Sequence, residues 1–176
     1  GPEVTIDKKK YYQFASNNYL GLTTNSAVIN SSVSSSKKFG TGTGGSRLVT
    51  GTSNLHSKLE SEIAKFKKTK DSILFSSGYL ASIGTISSIM NKDDIIFSDE
   101  LNHACLIDGA KLSKSRVVIY KHTDMKDLES KLKKYKSLKV KKMIVTDSVF
   151  SMDGDIAPLD KIVVLCKKYG CISMID

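Results

Sequence analysis

Four small groups of polar residues carry the chemistry that this chain can do. Ser77 and Gly78 interrupt an apolar run, Ile73–Phe75, and are followed by apolar residues at helical spacing: Leu80, Ile83, Ile86, Ile89 and Met90. A strand that turns through small residues into a helix leaves the helix's first N–H groups without partners. Those donors and the helix dipole favour a phosphate. A serine N-cap with no ligand is the competing reading of that stretch taken alone. Asp99, Asn102 and His103 follow a second apolar run, Asp147 and Ser151 follow another, and Asp176 ends the last. Singly, His103 reads as a helix cap or packing histidine, and Asp176 as an ordinary strand-end acid. Jointly they supply an anion cradle, an imidazole, a hydroxyl and a carboxylate. That set suits a cofactor with a phosphate at one end and a protonatable ring nitrogen at the other. His56 and His122 have no supporting context and receive no role.

The elements that must position these groups alternate. Val4 to Ala15 reads as a hairpin or a pair of extended segments, and Ser16 to Leu22 (SNNYLGL) as a turn with free amides. Ser26–Phe39 is a weak, serine-rich surface helix. Asn54–Lys68 is amphipathic, with Leu55, Leu59, Ile63 and Phe66 on one face and Ser53 or Asn54 as cap. After the strand–turn–helix at 73–90, strands are expected at Ile95–Ser98, Arg116–Tyr120, Lys142–Thr146 and Cys171–Ile175. Helices are expected at His103–Leu112, Met125–Tyr135 and Pro158–Tyr169, the last closed by Gly170. Such alternation predicts an α/β fold around a mainly parallel sheet, whose ligands sit beyond the carboxyl ends of the strands. A final strand with nothing after it leads to the expectation that the protein continues.

Gly40, Gly42 and Gly45 match G-x-G-x-x-G, yet a polar serine–lysine segment precedes them and Arg47 to Ser53 intervenes before the next helix. The dinucleotide fingerprint needs a strand before it and a helix directly after it. A close-approach backbone loop carrying Ser46 and Arg47 is the better reading, and a dinucleotide oxidoreductase the weaker one. The net charge of +9 is almost all lysine, with Arg47 and Arg116 the only arginines. Lysine clusters at Lys65 to Lys70 and Lys131 to Lys142 read as solvated helix ends, with docking of an acidic carrier or of coenzyme A phosphates as second reading. Nucleic-acid binding is not expected, because arginine and interleaved aromatics are missing. No run approaches the roughly 20 apolar residues of a membrane span. Cys105, Cys166 and Cys171 read as free thiols in the cytoplasm, with no metal site.

SNNYLGL (Ser16 to Leu22), GTGGSRLVTGTSNLHSKLE (Gly42 to Glu60), LFSSGYLAS (Leu74 to Ser82), SDELNHACLIDG (Ser98 to Gly109), TDSVFSMDGDIAPL (Thr146 to Leu159) and the closing MID carry a family resemblance over nearly the whole chain. The chain resembles the α-oxoamine synthases, pyridoxal-phosphate enzymes that join an amino acid to an acyl thioester and release carbon dioxide. The biotin-pathway branch, using L-alanine and a pimeloyl thioester of coenzyme A or a carrier protein, is the nearer match. The branch using glycine and an acetyl thioester is second.

The resemblance implies the large-domain core of the fold-type I pyridoxal-phosphate transferase fold, incomplete at both ends. It also implies a homodimer, with residues 1–40 an N-terminal segment and surface helix and 41–176 a partial cofactor-binding domain. It implies that Ser77, Gly78 and Tyr79 hold the cofactor phosphate, that His103 stacks on its ring and meets substrate, and that Ser151 bonds near its phenolate oxygen. Asp176 would pair with the ring nitrogen, and Asn17 would lie near the amino acid. No lysine here matches the family's Schiff-base lysine, so the 176-residue chain by itself is expected to be inactive and to self-associate. A scaffold subunit without that lysine is the alternative of another class.

Overall fold

In the computed structural model, which describes residues 2–176, the chain forms two units, Gly1–Ser72 and Ile73–Asp176. The first opens with the expected hairpin, β1 (Glu3–Ile6) and β2 (Lys9–Tyr12), paired antiparallel. Asp7 and Lys8 join them with φ of 49° and 64°, the left-handed turn geometry whose twist suits a two-residue hairpin. Helix α1 (Ser26–Phe39) is capped by Asn25, whose side chain accepts the N–H groups of Ala27 and Val28. Helix α2 (Asn54–Lys67) starts at Ser53. The Ser53 N–H donates to His56 Nδ1 at 3.2 Å, so His56 helps to cap the helix.

The glycine loop between these helices follows a helix, not a strand, so the dinucleotide context is missing. The Ser46 carbonyl accepts the N–H groups of Val49, Thr50 and Gly51. A Cβ on Gly51 would lie 2.0 Å from the Gly45 carbonyl oxygen, so glycine there serves close backbone approach. Arg47 is held by Glu60 of α2 through Nη1–Oε1 at 2.5 Å and Nη2–Oε2 at 3.1 Å.

The second unit contains α3 (Gly78–Ile89), β3 (Ile95–Asp99), α4 (Ala104–Leu112), β4 (Arg116–Tyr120), α5 (Met125–Lys134), β5 (Lys142–Thr146), α6 (Leu159–Tyr169) and β6 (Ile172–Ile175). The elements match expectation to within two residues at their ends, with one exception. Ile73–Phe75 is not a strand: it pairs with no strand among the described residues, and Ile73 is exposed. Three apolar residues give the side-chain pattern of a strand, but a strand also needs a place in the ladder of a sheet. Phe75 packs instead against α3, where a Cβ on Gly84 would lie 2.9 Å from its ring.

The strands form one parallel sheet in the order β4-β3-β5-β6. Period-two alternation sorts their side chains into two cores. Ile95, Phe97 and Ile144 pack with Leu128 and Leu132 of α5 and Ile162 and Leu165 of α6. Ile96, Met143 and Val145 pack with Ile86 of α3 and Leu106 and Ala110 of α4. Both faces are thus covered, as a parallel sheet requires. The chain leaves β3 for β4 on one side and returns past it to β5 on the other. The topological switch therefore falls between β3 and β5.

Helices α3 and α4 approach closely at Gly109. A Cβ there would meet Ile86 Cδ1 at 3.0 Å, the Ser82 carbonyl oxygen at 3.2 Å and Ile83 Cα at 3.3 Å. Two of those atoms are backbone and cannot yield as a flexible side-chain tip can. Gly109→Val in the full-length protein is expected to lower stability by about 1–3 kcal/mol through overpacking, read by urea denaturation with an unchanged slope. An undiminished midpoint would show that the helices have room to part.

Candidate functional site

Ligands of open α/β sheets bind beyond the strand carboxyl ends at the switch point, and here that crevice is stitched by one buried side chain. Asn102 Nδ2 donates to Ser98 Oγ and to the Val145 carbonyl, each at 2.9 Å, and its Oδ1 accepts the Asp147 N–H at 3.1 Å. The next residue continues the seam: the His103 N–H donates to Asp147 Oδ2 at 2.7 Å. The exits of β3 and β5 are therefore fixed to each other by side chains as well as by the ladder.

His103 is the N-cap of α4, its Nδ1 accepting the Cys105 N–H at 3.3 Å. Capping leaves the rest of the ring exposed. With Asn102, Asp147, Phe150 and Ser151 it lines a cavity of about 220 Å³. Ser151 sits at the exposed tip of the loop after β5. Asp176 follows β6, extending the ladder through its N–H to the Thr146 carbonyl at 3.1 Å. Its Oδ2 accepts from Cys105 Sγ at 3.5 Å, and the same sulfur lies 3.0 Å from His103 Nδ1. Cys105 thus links the imidazole to the carboxylate.

Ser77, Gly78 and Tyr79 form the N-terminus of α3 with no strand before them. Ser77 Oγ accepts the Leu80 N–H at 3.2 Å, a helix cap. The N–H groups of Gly78 and Tyr79 have no acceptor within a helix's first turn, and both residues are exposed. Tyr79 Oη donates to Asp108 of α4 at 2.9 Å. That contact, with the Gly109 approach, packs the first turns of α3 against the middle of α4. Asn17 lies in the first unit, where its Oδ1 accepts from Tyr19 Oη at 3.2 Å.

Burial and the nearby Asp176 charge raise the Asp147 carboxyl above its ordinary value, against the opposing pull of the His103 N–H. Burial likewise raises the Cys105 thiol, with Asp176 adding to the shift. His122, given no role by sequence, lies between two carboxylates: Nδ1 is 2.9 Å from Asp99 Oδ1 and Nε2 is 2.7 Å from Asp155 Oδ2. The strand-end rule that singled out His103 after β3 applies equally to His122 after β4. Among the described residues no helix is long and apolar enough to cross a membrane, and no cluster of three or more His, Cys, Asp or Glu could hold a metal ion.

Residues 9–176 match the family "Aminotransferase class I and II". The chain is 56% identical over 174 residues to 8-amino-7-oxononanoate synthase of Lysinibacillus sphaericus, covering 99% of this chain and 44% of that protein. It is 50% identical over 175 residues to 8-amino-7-oxononanoate synthase 2 of Bacillus subtilis (strain 168), covering 99% and 45% respectively. The chain thus spans less than half the length of these relatives. A solved serine palmitoyltransferase from S. paucimobilis with a bound PLP–myriocin aldimine superposes with a TM-score of 0.94 at 34% identity, covering 99% of this chain and 45% of that one. An 8-amino-7-oxononanoate synthase from Francisella tularensis gives 0.72 at 32% identity, over 86% and 41%.

Asp147 offers a test of the seam. A carboxyl raised in the folded state carries a penalty that is full above its folded pKa and fades as pH falls to its unfolded value near 4. Asp147→Asn removes the charge and keeps an oxygen for the His103 N–H. The variant is expected to be more stable than the parent at neutral pH, with the difference shrinking as pH falls to about 4. Urea denaturation across pH measures it, and a difference independent of pH would contradict burial as the cause.

Proposed function

The chain belongs to the aminotransferase class I and II family, and we propose on that basis that it is part of a pyridoxal-phosphate-dependent acyltransferase. The full-length enzyme condenses L-alanine with a pimeloyl thioester, of coenzyme A or a carrier protein, and releases carbon dioxide in biotin biosynthesis. It acts as a cytoplasmic homodimer, with no nucleic-acid or membrane partner, and residues 1–40 and 41–176 divide as the family's N-terminal segment and partial large domain. The observation that carries the reading is the convergence at one edge of the sheet. His103 and Ser151 line one cavity, and Cys105 ties His103 to Asp176.

The donor set fits the cofactor. The first-turn N–H groups of Gly78 and Tyr79 suit a phosphate, as helix N-termini do, with Ser77 shaping the turn. The Asp176 carboxylate suits a protonated ring nitrogen, since an adjacent opposite charge favours the protonated form. The exposed imidazole of His103 offers a flat face to an aromatic ring and an edge to substrate. Ser151 offers a hydroxyl for the phenolate oxygen, while Asn17 is assigned to the amino acid by the family resemblance alone. Pyridoxal phosphate, when bound, supplies an electron sink for chemistry at the amino acid's α-carbon. Asp176 as a carboxylate would keep the ring nitrogen protonated, which makes the sink effective, and Asp147 fixes the backbone that carries His103. No lysine of this chain is assigned the α-proton transfer. The identity to 8-amino-7-oxononanoate synthases supports L-alanine over glycine.

The test uses the full-length protein. Pyridoxal phosphate is expected to give a visible absorption band that shifts on adding L-alanine, and pimeloyl thioester then to be consumed with release of carbon dioxide. Asp176→Asn is expected to lower kcat by about 100-fold or more, the scale of losing one preorganised electrostatic group. A shift with glycine and turnover of acetyl thioester alone would move the enzyme to the glycine branch. No band at all would refute the cofactor.

A further inference from the structure

Both ring nitrogens of His122 meet carboxylate oxygens, Asp99 Oδ1 at 2.9 Å and Asp155 Oδ2 at 2.7 Å. An ionised carboxylate only accepts, and a neutral imidazole has one N–H to give. The geometry is satisfied at both ends only by the doubly protonated ring. Asp99 ends β3, whereas Asp155 belongs to the loop that carries Ser151. That loop is closed on itself by the Phe150 N–H to Asp155 carbonyl bond at 3.0 Å, the Ala157 N–H to Ser148 carbonyl bond at 3.0 Å and a Val149–Ile156 bridge. It is therefore braced as one piece. Phe150, buried at the base of the loop, packs edge-on against the His122 ring, centroids 4.4 Å apart. The other carboxylate oxygen of Asp155, Oδ1, is buried without a hydrogen-bond partner, so His122 is where that side chain is tied.

The segment bearing His122 is itself held against strain. Thr123 is β-branched yet sits at φ 51°, a conformation that persists only where the surroundings over-determine it. Its N–H donates to Asp99 Oδ2 at 2.9 Å, and the His122 N–H donates to Glu100 Oε1 at 2.8 Å. Asp99 and Glu100 face His122 from the end of β3 and Asp155 from the loop, and Lys121 and Asp124 flank it in its own segment. We propose that His122 is a positioning residue: as an imidazolium bridging Asp99 and Asp155 it fixes the 147–158 loop, and with it Ser151, over the carboxyl edge of the sheet. Its consequence for catalysis rests on the cofactor reading above; the bridge itself does not. Burial by itself would lower the His122 pKa, but the two carboxylates outweigh it and the net shift is upward. The tie is therefore complete below the ordinary histidine value near 6.5 and loses one of its two hydrogen bonds, with the charge that strengthens both, as pH rises through the higher folded value.

Hydrogen exchange of residues 148–156 in the full-length protein, with and without pyridoxal phosphate, tests this. After correction for intrinsic rates, protection without cofactor is expected to fall by about tenfold or more between pH 6 and 9, the scale of losing one charge-assisted hydrogen bond. His122→Gln and Asp155→Ala are expected to lack that step and to exchange fast at both pH values. Asp155→Asn keeps an acceptor without its charge, and should shift the midpoint to lower pH. Protection independent of pH in the parent, or an Asp155→Asn midpoint equal to the parent's, overturns the proposal even where His122→Gln fails to fold. The cofactor reading is decided separately by the parent's absorption band. A pH-dependent loop in a protein that binds no pyridoxal phosphate leaves the bridge standing and removes its catalytic role.

Discussion

The placement of every candidate residue depends on β3 lying between β4 and β5 with all three strands running the same way. Parallel pairing brings the exits of these strands to one edge, and the reversal of direction there opens a crevice that helices do not fill. The apolar faces of β3 and β5 supply the driving force, since each alternates between two cores. Their exits supply the specificity. Asn102, braced by Ser98 of β3, locks the two exits together with two hydrogen bonds, to the Val145 carbonyl and from the Asp147 N–H, and a buried amide satisfied in this way tolerates little change in register.

Several of the site's polar groups serve the fold first. Ser77 caps α3 and His103 caps α4. The cap readings that compete with a functional one in sequence are therefore correct as far as they go. They do not exclude ligand binding, because capping uses Ser77 Oγ and His103 Nδ1 while the first-turn N–H groups of α3 and the remainder of the imidazole stay exposed. Duties of this kind place a ligand-facing group without extra structure. They also mean that replacing either residue disturbs a helix end along with any site.

Hydrophobic periodicity makes nearly all the helices and strands legible, because each pattern is long enough to be unambiguous and ends at a recognisable cap or glycine. Gly170, for example, closes α6 in the left-handed conformation. It misplaces Ile73–Phe75, since strand character belongs to a pair and the partner is not written in the segment itself. The strand order is equally hidden. Nothing local says that the chain returns from β4 past β3 to place β5 on its other side, so the switch point, and with it the meeting of His103 with Asp147, emerges only in three dimensions. His122 is missed for the same reason: its carboxylate partners, Asp99 and Asp155, are far away along the chain, although His122 has the strand-end position that drew attention to His103. His56 differs, since its partner Ser53 lies only three residues before it; histidine is simply not the residue by which a capping box is recognised.

The central position of β3 also has a consequence for how the chain assembles. β4 can pair with β3 as soon as α4 folds back, but β5 must then insert on β3's opposite side across a longer excursion. Until it does, one edge of a wholly buried apolar strand presents unpaired N–H and C=O groups, a template for any other extended chain. Non-local parallel pairing is slow to form. The interval before β5 arrives is when a nascent molecule is most open to misassembly with its neighbours. Insertion of one strand ends that exposure and completes the crevice in the same step.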